Sequence, residues 1–165
     1  MHEDVIVKLQ GGQRFTKLDL KSAYQQLSLD PDSQMFVTIN THRGLYRYKR
    51  LPFGIASSPV IFQHTMDVIL RGLDNVASIQ DYILITGRDD DHHIKNLDSV
   101  HNRLDSYDLR LQLSKRKFMQ KSVAYMGCVI SANGISPTGE KIEAIKQAQR
   151  PENSTQIRAF LGMIN

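Results

Sequence analysis

The sequence predicts an α+β domain with a largely antiparallel sheet and helices on one face. Short segments rich in β-branched and aromatic residues alternate with longer segments that carry apolar residues at helical spacing. The predicted order is one strand, a strand pair, a helix, a strand pair, a helix, a strand pair and two helices. Strands joined by tight turns run antiparallel. No repeat or linker divides residues 1–165, so we expect a single domain.

The predicted strands are short and are joined by residues that suit hairpin turns. Gly44 suits the turn after the second strand, Asp81 is the single charged residue at the tip of the central hairpin, and Asn133–Gly134 suits the turn of the last pair. Apolar residues alternate on both sides of Asp81. The strand segments are RFTKLDL (14–20), MFVTIN (35–40), LYRYKRL (45–51), ASIQDYILITG (77–87) and VAYMGCVISANGI (123–135).

Four helices are predicted from capping residues and apolar stripes. Ser58 is the expected N-cap of the first, Pro59 its first helical residue, and Gly72 helps to end it. The second begins among Asp89–Asp91, and the third at Ser136–Pro137. The fourth lies in STQIRAFLGMIN (154–165), and the stripes of the first two are Phe62, Met66, Ile69 and Leu73, then Ile94, Leu97, Val100 and Leu104.

Composition favours a globular protein with a modest basic surplus. The net charge is +4, and much of the surplus lies in HRGLYRYKR (42–50) and LRLQLSKRKFMQK (109–121), where aromatics alternate with cations. This pattern suits a nucleic-acid groove, and it equally suits an amphipathic strand with a solvated basic face. The single cysteine, Cys128, excludes an internal disulfide and a multi-cysteine zinc site. The absence of a long apolar run or signal peptide predicts an intracellular protein without a membrane span.

Two aspartates interrupt predicted strands. Asp19 lies in KLDLKSAY and Asp81 lies in the central hairpin. If the two strands are neighbours, both carboxylates can hold Mg²⁺, and a pair of such ions would support phosphoryl or nucleotidyl transfer. The alternative is that both are exposed turn residues. DDDHH (89–93) has metal-ligand residue types, but its consecutive side chains diverge, so helix capping is the favoured interpretation.

The ordered motifs closely resemble those of reverse transcriptases, in particular those of gypsy-class long-terminal-repeat retrotransposons. The motifs are FTKLDLKSAYQQLSL, GLYRYKRLPFGIASSPVIFQ, ASIQDYILITG, LRLQLSKRKF and VAYMGCVISANGISP, followed by the closing IRAFLGMIN. The resemblance covers nearly the whole chain. It implies a polymerase palm-type antiparallel sheet over about 12–135, with partial fingers and the start of the thumb or connection over about 136–165. It also implies RNA-templated addition of deoxynucleotides to a primer 3′ end with two Mg²⁺ ions, which Mn²⁺ can replace.

The resemblance assigns the reacting groups residue by residue. Asp19 and Asp81 become metal ligands, with the Leu20 backbone near the same ion. Tyr24 packs against the incoming sugar and excludes a 2′-hydroxyl. Lys115 donates a proton to the pyrophosphate leaving group.

The remaining assignments concern the nucleotide and the template–primer duplex. Phe53 and Gly54 contact the incoming deoxynucleoside triphosphate. The duplex, of RNA or DNA template with its primer, is expected to contact Pro52, Ser58 and Gln80, together with Tyr125, Met126 and Gly127 of the hairpin that grips the primer end.

The family motif at the hairpin tip is tyrosine, any residue, aspartate, aspartate, whereas this chain has Ile79, Gln80, Asp81 and Tyr82. A phenol with a pKa near 10 is neutral at pH 7 and binds Mg²⁺ poorly. Tyr82 is therefore a degenerate catalytic position, and we expect its ring to swing aside or to crowd a metal position. We expect impaired polymerisation.

The chain begins only a few residues before the first motif. We expect the upstream fingers segment and the ribonuclease H, protease and integrase parts of the polyprotein to be absent from this chain. Two alternatives to an impaired polymerase remain open. One is a catalytically silent module that binds nucleic acid, and the other is a retroelement relic without function.

Overall fold

The structure, a computed structural model, describes residues 2–164. Its helices alternate with short strands, as the sequence predicts for an α+β protein. The helices are α1 (His2–Leu9), α2 (Pro31–Met35), α3 (Ser58–Ile69), α4 (Asp90–Ser106), α5 (Gly139–Gln147) and α6 (Ser154–Ile164). The strands are β1 (Arg14–Asp19), β2 (Thr38–Thr41), β3 (Gly44–Arg47), β4 (Val76–Ile79), β5 (Tyr82–Gly87), β6 (Lys117–Gln120), β7 (Ser122–Tyr125), β8 (Cys128–Ser131) and β9 (Gly134–Pro137).

The central sheet has the strand order β4-β5-β1-β6 and is antiparallel throughout. Strands β2 and β3 form a separate hairpin, and β7, β8 and β9 form a three-stranded sheet. The α+β class and the antiparallel sheet are therefore confirmed. No helix among residues 2–164 is long and apolar enough to cross a membrane.

Both faces of the central sheet are buried, which explains why β5 reads as a continuous apolar run. Ile83 and Ile85 face α3 and α4, whereas Leu84 faces the other side. The first core is completed by Phe62 and Met66 of α3 and by Val100, Leu104 and neighbouring apolar residues. Helices α3 and α4 thus cover one face, as predicted.

Helix α1 and the three-stranded sheet contribute to the second face. Val5 and Leu9 of α1 pack with Phe15, Leu84 and Val123. Burial of such side chains contributes about 25 cal/mol per Å² of apolar surface. The sequence interpretation left residues 2–9 unassigned, so this helix is an addition to the predicted order.

Three predicted boundaries were wrong. Ser58 is the first residue of α3, and Ser57 takes the N-cap position, because the Ser58 hydroxyl turns back to donate to the Pro52 carbonyl. Helix α3 already ends at Ile69, with Leu70 as C-cap, before Gly72. MFVTIN is divided, since Met35 ends α2 and β2 begins only at Thr38.

The C-terminal strands also differ from the prediction. VAYMGCVISANGI supplies two turns, at Met126–Gly127 as well as at Asn133–Gly134, so a strand pair becomes a meander of three strands. Ser136 and Pro137 do not begin a helix, because they pair with β8 as part of an edge strand, where proline is tolerated. Helix α5 begins at Gly139, capped by Thr138, whose hydroxyl accepts from the Lys141 N–H at 3.2 Å.

A buried histidine joins α4 to the sheet. The Nε2 atom of His93 lies 2.7 Å from the Thr16 hydroxyl, and the His93 side chain is fully buried. A side chain at Gly87, the last residue of β5, would place its Cβ 2.5 Å from the His93 backbone, so only glycine permits this approach. Burial lowers the pKa of His93, with the Asp90 carboxylate acting in the opposite direction.

This burial predicts acid sensitivity. Because the pKa of folded His93 is below its usual 6.5, the unfolded chain binds the extra proton first, and stability falls as the pH drops below about 6.5. Thermal unfolding measured between pH 7.5 and 5 should show a smaller pH slope in His93→Gln than in the unmodified chain. His101→Gln, at a histidine that is only partly buried, serves as the control. Equal slopes in all three would contradict the assignment.

Candidate active site

The antiparallel register of β1 and β5 brings the two predicted aspartates together. Asp19 is paired with Tyr82, the residue that follows Asp81. Beyond the strand, the Leu20 N–H donates to the Asp81 carbonyl at 2.8 Å, and the Gln112 N–H donates to the Asp19 carbonyl at 2.7 Å. The backbone of Asp19 is therefore held on both sides, beside the tip of the β4–β5 hairpin.

The hairpin tip has strained backbone that a helix residue supports. Gln80 has a φ of 51°, in the left-handed region that non-glycine residues rarely adopt. The Gln80 N–H donates to Gln63 Oε1 at 3.0 Å, and Gln63 Nε2 donates to the Ser78 carbonyl at 2.8 Å. Gln63 of α3 thus spans the turn that carries Asp81. Sequence reasoning missed it, because nothing in its spacing marks a contact seventeen residues away.

An open cavity of about 430 Å³ lies beside this tip. Most residues assigned to catalysis and to nucleotide binding share its wall, although they are spread over nearly a hundred positions of sequence. The predicted residues that line it are Asp19, Leu20, Tyr24, Phe53, Gln80, Asp81 and Lys115, and the additional ones are Lys21, Ser22, Ala23 and Gln112.

Asp19 is an almost fully buried carboxylate, with 4% of its surface exposed. Burial raises its pKa, while the Lys115 ammonium acts in the opposite direction and the charge of Asp81 raises it further. Lys115 Nζ lies 3.9 Å from Asp19 Oδ2, and its own side chain is largely exposed. This arrangement places a cation at the mouth of the cavity, close to the buried acid.

Tyr24 is held in place by two phenylalanines. Its ring centroid lies 4.9 Å from that of Phe53 and 5.1 Å from that of Phe62, both in tilted arrangements. Phe62 is fully buried in α3, whereas Phe53 is exposed at the cavity. Such aromatic contacts limit the movement of the Tyr24 ring. The cavity therefore has a rigid aromatic wall.

The loop before α3 holds the remaining residues predicted on that side. Gly54 has a φ of 84°, a conformation that favours glycine, and it lies directly after Phe53. Ser58 is fully buried, and its hydroxyl donates to the Pro52 carbonyl at 2.8 Å. In this structure Ser58 therefore fixes the shape of the loop from within.

The predicted primer-contacting residues lie elsewhere. Tyr125, Met126 and Gly127 form the tip of the β7–β8 hairpin, with Met126 60% exposed. They do not line the cavity. The Gly127 carbonyl accepts from the Thr138 N–H at 2.8 Å, which ties this tip to the start of α5.

Tyr82 is not among the residues that line the cavity, and its ring lies under a lysine. Because directly opposed residues of antiparallel strands project to the same face, Tyr82 shares the face of Asp19. Lys17 Nζ lies 3.5 Å from the centroid of the Tyr82 ring, a cation–π contact. Burial lowers the pKa of Lys17, and the charges of Asp19 and Asp81 act against this shift. The Tyr82 ring is thus held against Lys17, outside the set of residues that line the cavity.

The acidic run at the start of α4 has a capping role. Asp89 accepts from the His92 N–H at 2.7 Å, and Asp90 forms an ion pair with Arg14 at 2.8 Å. Within residues 2–164 no group of three or more His, Cys, Asp or Glu side chains could hold a metal ion. Asp89 is the N-cap of α4, which confirms the capping interpretation for this residue.

One protein family and several known proteins match the sequence of this chain. The sequence profile of the family "Reverse transcriptase (RNA-dependent DNA polymerase)" matches residues 2–130. The chain is 37% identical over 160 residues to "Uncharacterized protein K02A2.6" of Caenorhabditis elegans, covering 97% of this chain and 12% of that protein. It is 33% identical over 165 residues to the "Transposon Tf2-3 polyprotein" of Schizosaccharomyces pombe, covering 99% of this chain and 12% of that one. The chain thus spans about an eighth of these relatives.

Solved structures show the same fold. The foamy viral protease-reverse transcriptase dRH in complex with double-stranded DNA has a TM-score of 0.86 at 21% identity, covering all of this chain and 29% of the viral one. The foamy viral protease-reverse transcriptase in complex with an RNA/DNA hybrid has a TM-score of 0.78, also at 21% identity, covering 98% of this chain and 22% of the viral one.

The burial of Asp19 predicts a stability cost. Because its pKa is raised, the folded chain binds a proton more readily than the unfolded chain, so this group contributes less stability as the pH rises through its folded pKa. At pH 7 without divalent ions, Asp19→Asn should raise the free energy of unfolding by about 1 kcal/mol, measured by urea denaturation. The control is the same substitution at exposed Asp91. A destabilised Asp19→Asn chain would contradict this account of the site.

The Gln63 bonds predict that this residue positions the hairpin tip. Gln63→Met keeps the side-chain volume but removes both bonds, and should lower the free energy of unfolding by about 1–2 kcal/mol. Amide exchange at Gln80 should accelerate selectively. His64→Met, at the exposed neighbouring position, controls for the helix. Unchanged exchange at Gln80 would show that the turn does not need this support.

Proposed function

Because this chain belongs to the reverse transcriptase (RNA-dependent DNA polymerase) family, we propose that it is the palm of an RNA-directed DNA polymerase. The observation that carries the proposal is the cavity in which Asp19, Asp81, Tyr24 and Lys115 meet. A carboxylate pair for Mg²⁺, an aromatic wall for a sugar and a cation for a leaving group are what nucleotidyl transfer requires.

Each cavity residue has a role in this proposal. Asp19 and Asp81 bind Mg²⁺ or Mn²⁺ together with the backbone of Leu20. When bound, the divalent ion activates the primer 3′-hydroxyl and neutralises charge on the leaving pyrophosphate. Lys115 gives a proton to the pyrophosphate, and the ion pair with Asp19 keeps its flexible side chain near the site.

The aromatic wall selects nucleotides by their sugar. Tyr24 is backed by Phe53 and Phe62, so its ring has little room to retreat from an incoming 2′-hydroxyl. The substrates are therefore deoxynucleoside triphosphates rather than ribonucleotides. Phe53 and Gly54, which lead into α3, contribute to the same nucleotide pocket.

The duplex partner is an RNA or DNA template with its primer. The β2–β3 hairpin carries exposed aromatic and basic side chains, including Tyr46 and Arg47. Phosphate neutralisation and base stacking use such a surface. The foamy viral relative was solved with double-stranded DNA and with an RNA/DNA hybrid. Contacts by Pro52, Gln80 and the Tyr125–Gly127 tip belong to this proposal.

Catalysis is impaired in this proposal, because Tyr82 supplies no carboxylate where the family motif has one. The exposed basic hairpin supports a second candidate function, a catalytically silent module that binds nucleic acid. Assignment to the gypsy class, and the division into a palm at about 12–135 and a thumb or connection segment from about 136, rest on the sequence motifs. The family match that ends at residue 130 supports this division.

Primer extension on an RNA template tests the proposal. With Mg²⁺ or Mn²⁺, Tyr82→Asp should extend the primer about tenfold faster than the unmodified chain, since it restores a charged oxygen ligand. Tyr82→Phe, which lacks both the hydroxyl and the carboxylate, is the matched control and should remain as slow. If folded Tyr82→Asp binds the duplex without extending it, the silent module is the better description.

A further inference from the structure

The carboxylate count at the candidate site leaves room for one divalent ion rather than two. Asp19 and Asp81 are the acidic residues that line the cavity. Within residues 2–164 no third His, Cys, Asp or Glu joins them in a group that could hold a metal. Tyr82, at the position of a further carboxylate in the family motif, is a neutral phenol and a poor ligand for Mg²⁺.

The charges around this pair point the same way. Lys115 Nζ lies 3.9 Å from Asp19, and Lys17 Nζ lies above the Tyr82 ring at 3.5 Å from its centroid. The charges of both Asp19 and Asp81 act on the Lys17 ammonium. The ammonium groups of Lys115 and Lys17 already match the charge of the two carboxylates, so a single dication leaves the site positive. A second dication would have to bind against this excess charge.

Lys17 is held where it can act as that extra cation. It lies two residues before Asp19 on β1, so both side chains project to the same face of the sheet. Tyr82 is opposite Asp19 on that face, and its ring supports the ammonium. Lys17 is half-buried, and a cation–π contact is stronger when it is partly shielded from water.

We propose that this chain binds a single divalent cation between Asp19 and Asp81, and that the Lys17 ammonium, seated on the Tyr82 ring, replaces a second ion as the local positive charge. The inference rests on the metal site of the proposed function, but it concerns the number of ions and not the reaction. An ammonium neutralises charge without offering a coordination position, so it does not acidify a hydroxyl as a metal ion does. Tyr82 therefore removes one metal ligand and also holds, through Lys17, a positive charge that cannot acidify a hydroxyl.

Electron paramagnetic resonance of Mn²⁺ counts the ions directly. Titration of the purified chain with Mn²⁺ alone should reveal one ion per chain, and Asp19→Asn should abolish its binding. Tyr82→Asp should bind two ions, and Tyr82→Phe, which keeps the ring, should still bind one with unchanged affinity. Circular dichroism confirms that each variant is folded.

Lys17→Met tests the role of the ammonium independently, because it leaves every metal ligand in place. Removing the ammonium should tighten binding of the one ion by about five- to tenfold, as expected for loss of a like charge a few ångströms away. Methionine is preferred to glutamine at position 17, because a glutamine side chain would introduce a new oxygen ligand for the metal ion. Lys21→Met removes a lysine that lines the cavity but is not among the charges that act on Asp19, so it should have the smaller effect.

The outcomes separate this inference from the proposed function. Two ions bound by the unmodified chain, or unchanged affinity in Lys17→Met, would overturn the single-ion inference while leaving the polymerase proposal standing. No Mn²⁺ bound at Asp19 in any variant would overturn both. One ion in the unmodified chain together with two in Tyr82→Asp would support the inference, whatever the rate of primer extension.

Discussion

The antiparallel register between β1 and β5 is the constraint on which the candidate site depends. It pairs Asp19 with Tyr82, and the Leu20 N–H donates to the Asp81 carbonyl. The same pairing therefore brings the two carboxylates together and places Tyr82, which has no carboxylate, beside them. A slip of one residue would send Asp19 to the opposite face, among the apolar residues of α3 and α4. Burial on both faces of β5 fixes this register, since Ile83 and Leu84 serve different cores.

The site accepts local strain and buried charge that the surrounding structure must compensate. Asp19 is nearly excluded from water, and Gln80 adopts a left-handed backbone conformation at the tip of the hairpin. Gln63 and the Leu20 bond hold that tip, while Lys115 and Lys17 surround the carboxylates with positive charge. The lysine charges that stabilise the carboxylate pair also limit how many metal ions it can bind.

Local signals in the sequence were enough for the central hairpin, for α4 and for the core stripe of α3, because turn residues, caps and apolar spacing act over a few positions. The ordered motifs also brought Asp19, Asp81 and Lys115 to one site. Contacts between residues that are far apart in the sequence could not be predicted from such local signals. Ser136–Pro137 has the form of a helix start until β8 pairs with it, and the seating of Lys17 on Tyr82 requires the register of two strands.

The central claim is that Asp19 and Asp81 share one metal ion while Tyr82 and Lys17 exclude another. Anomalous diffraction from crystals of the chain grown with Mn²⁺ tests it most directly, because it locates each ion independently of activity. The account predicts a single peak in contact with both carboxylates, with Lys17 still above the Tyr82 ring. Two peaks at the hairpin tip, or a peak that contacts neither aspartate, would contradict it.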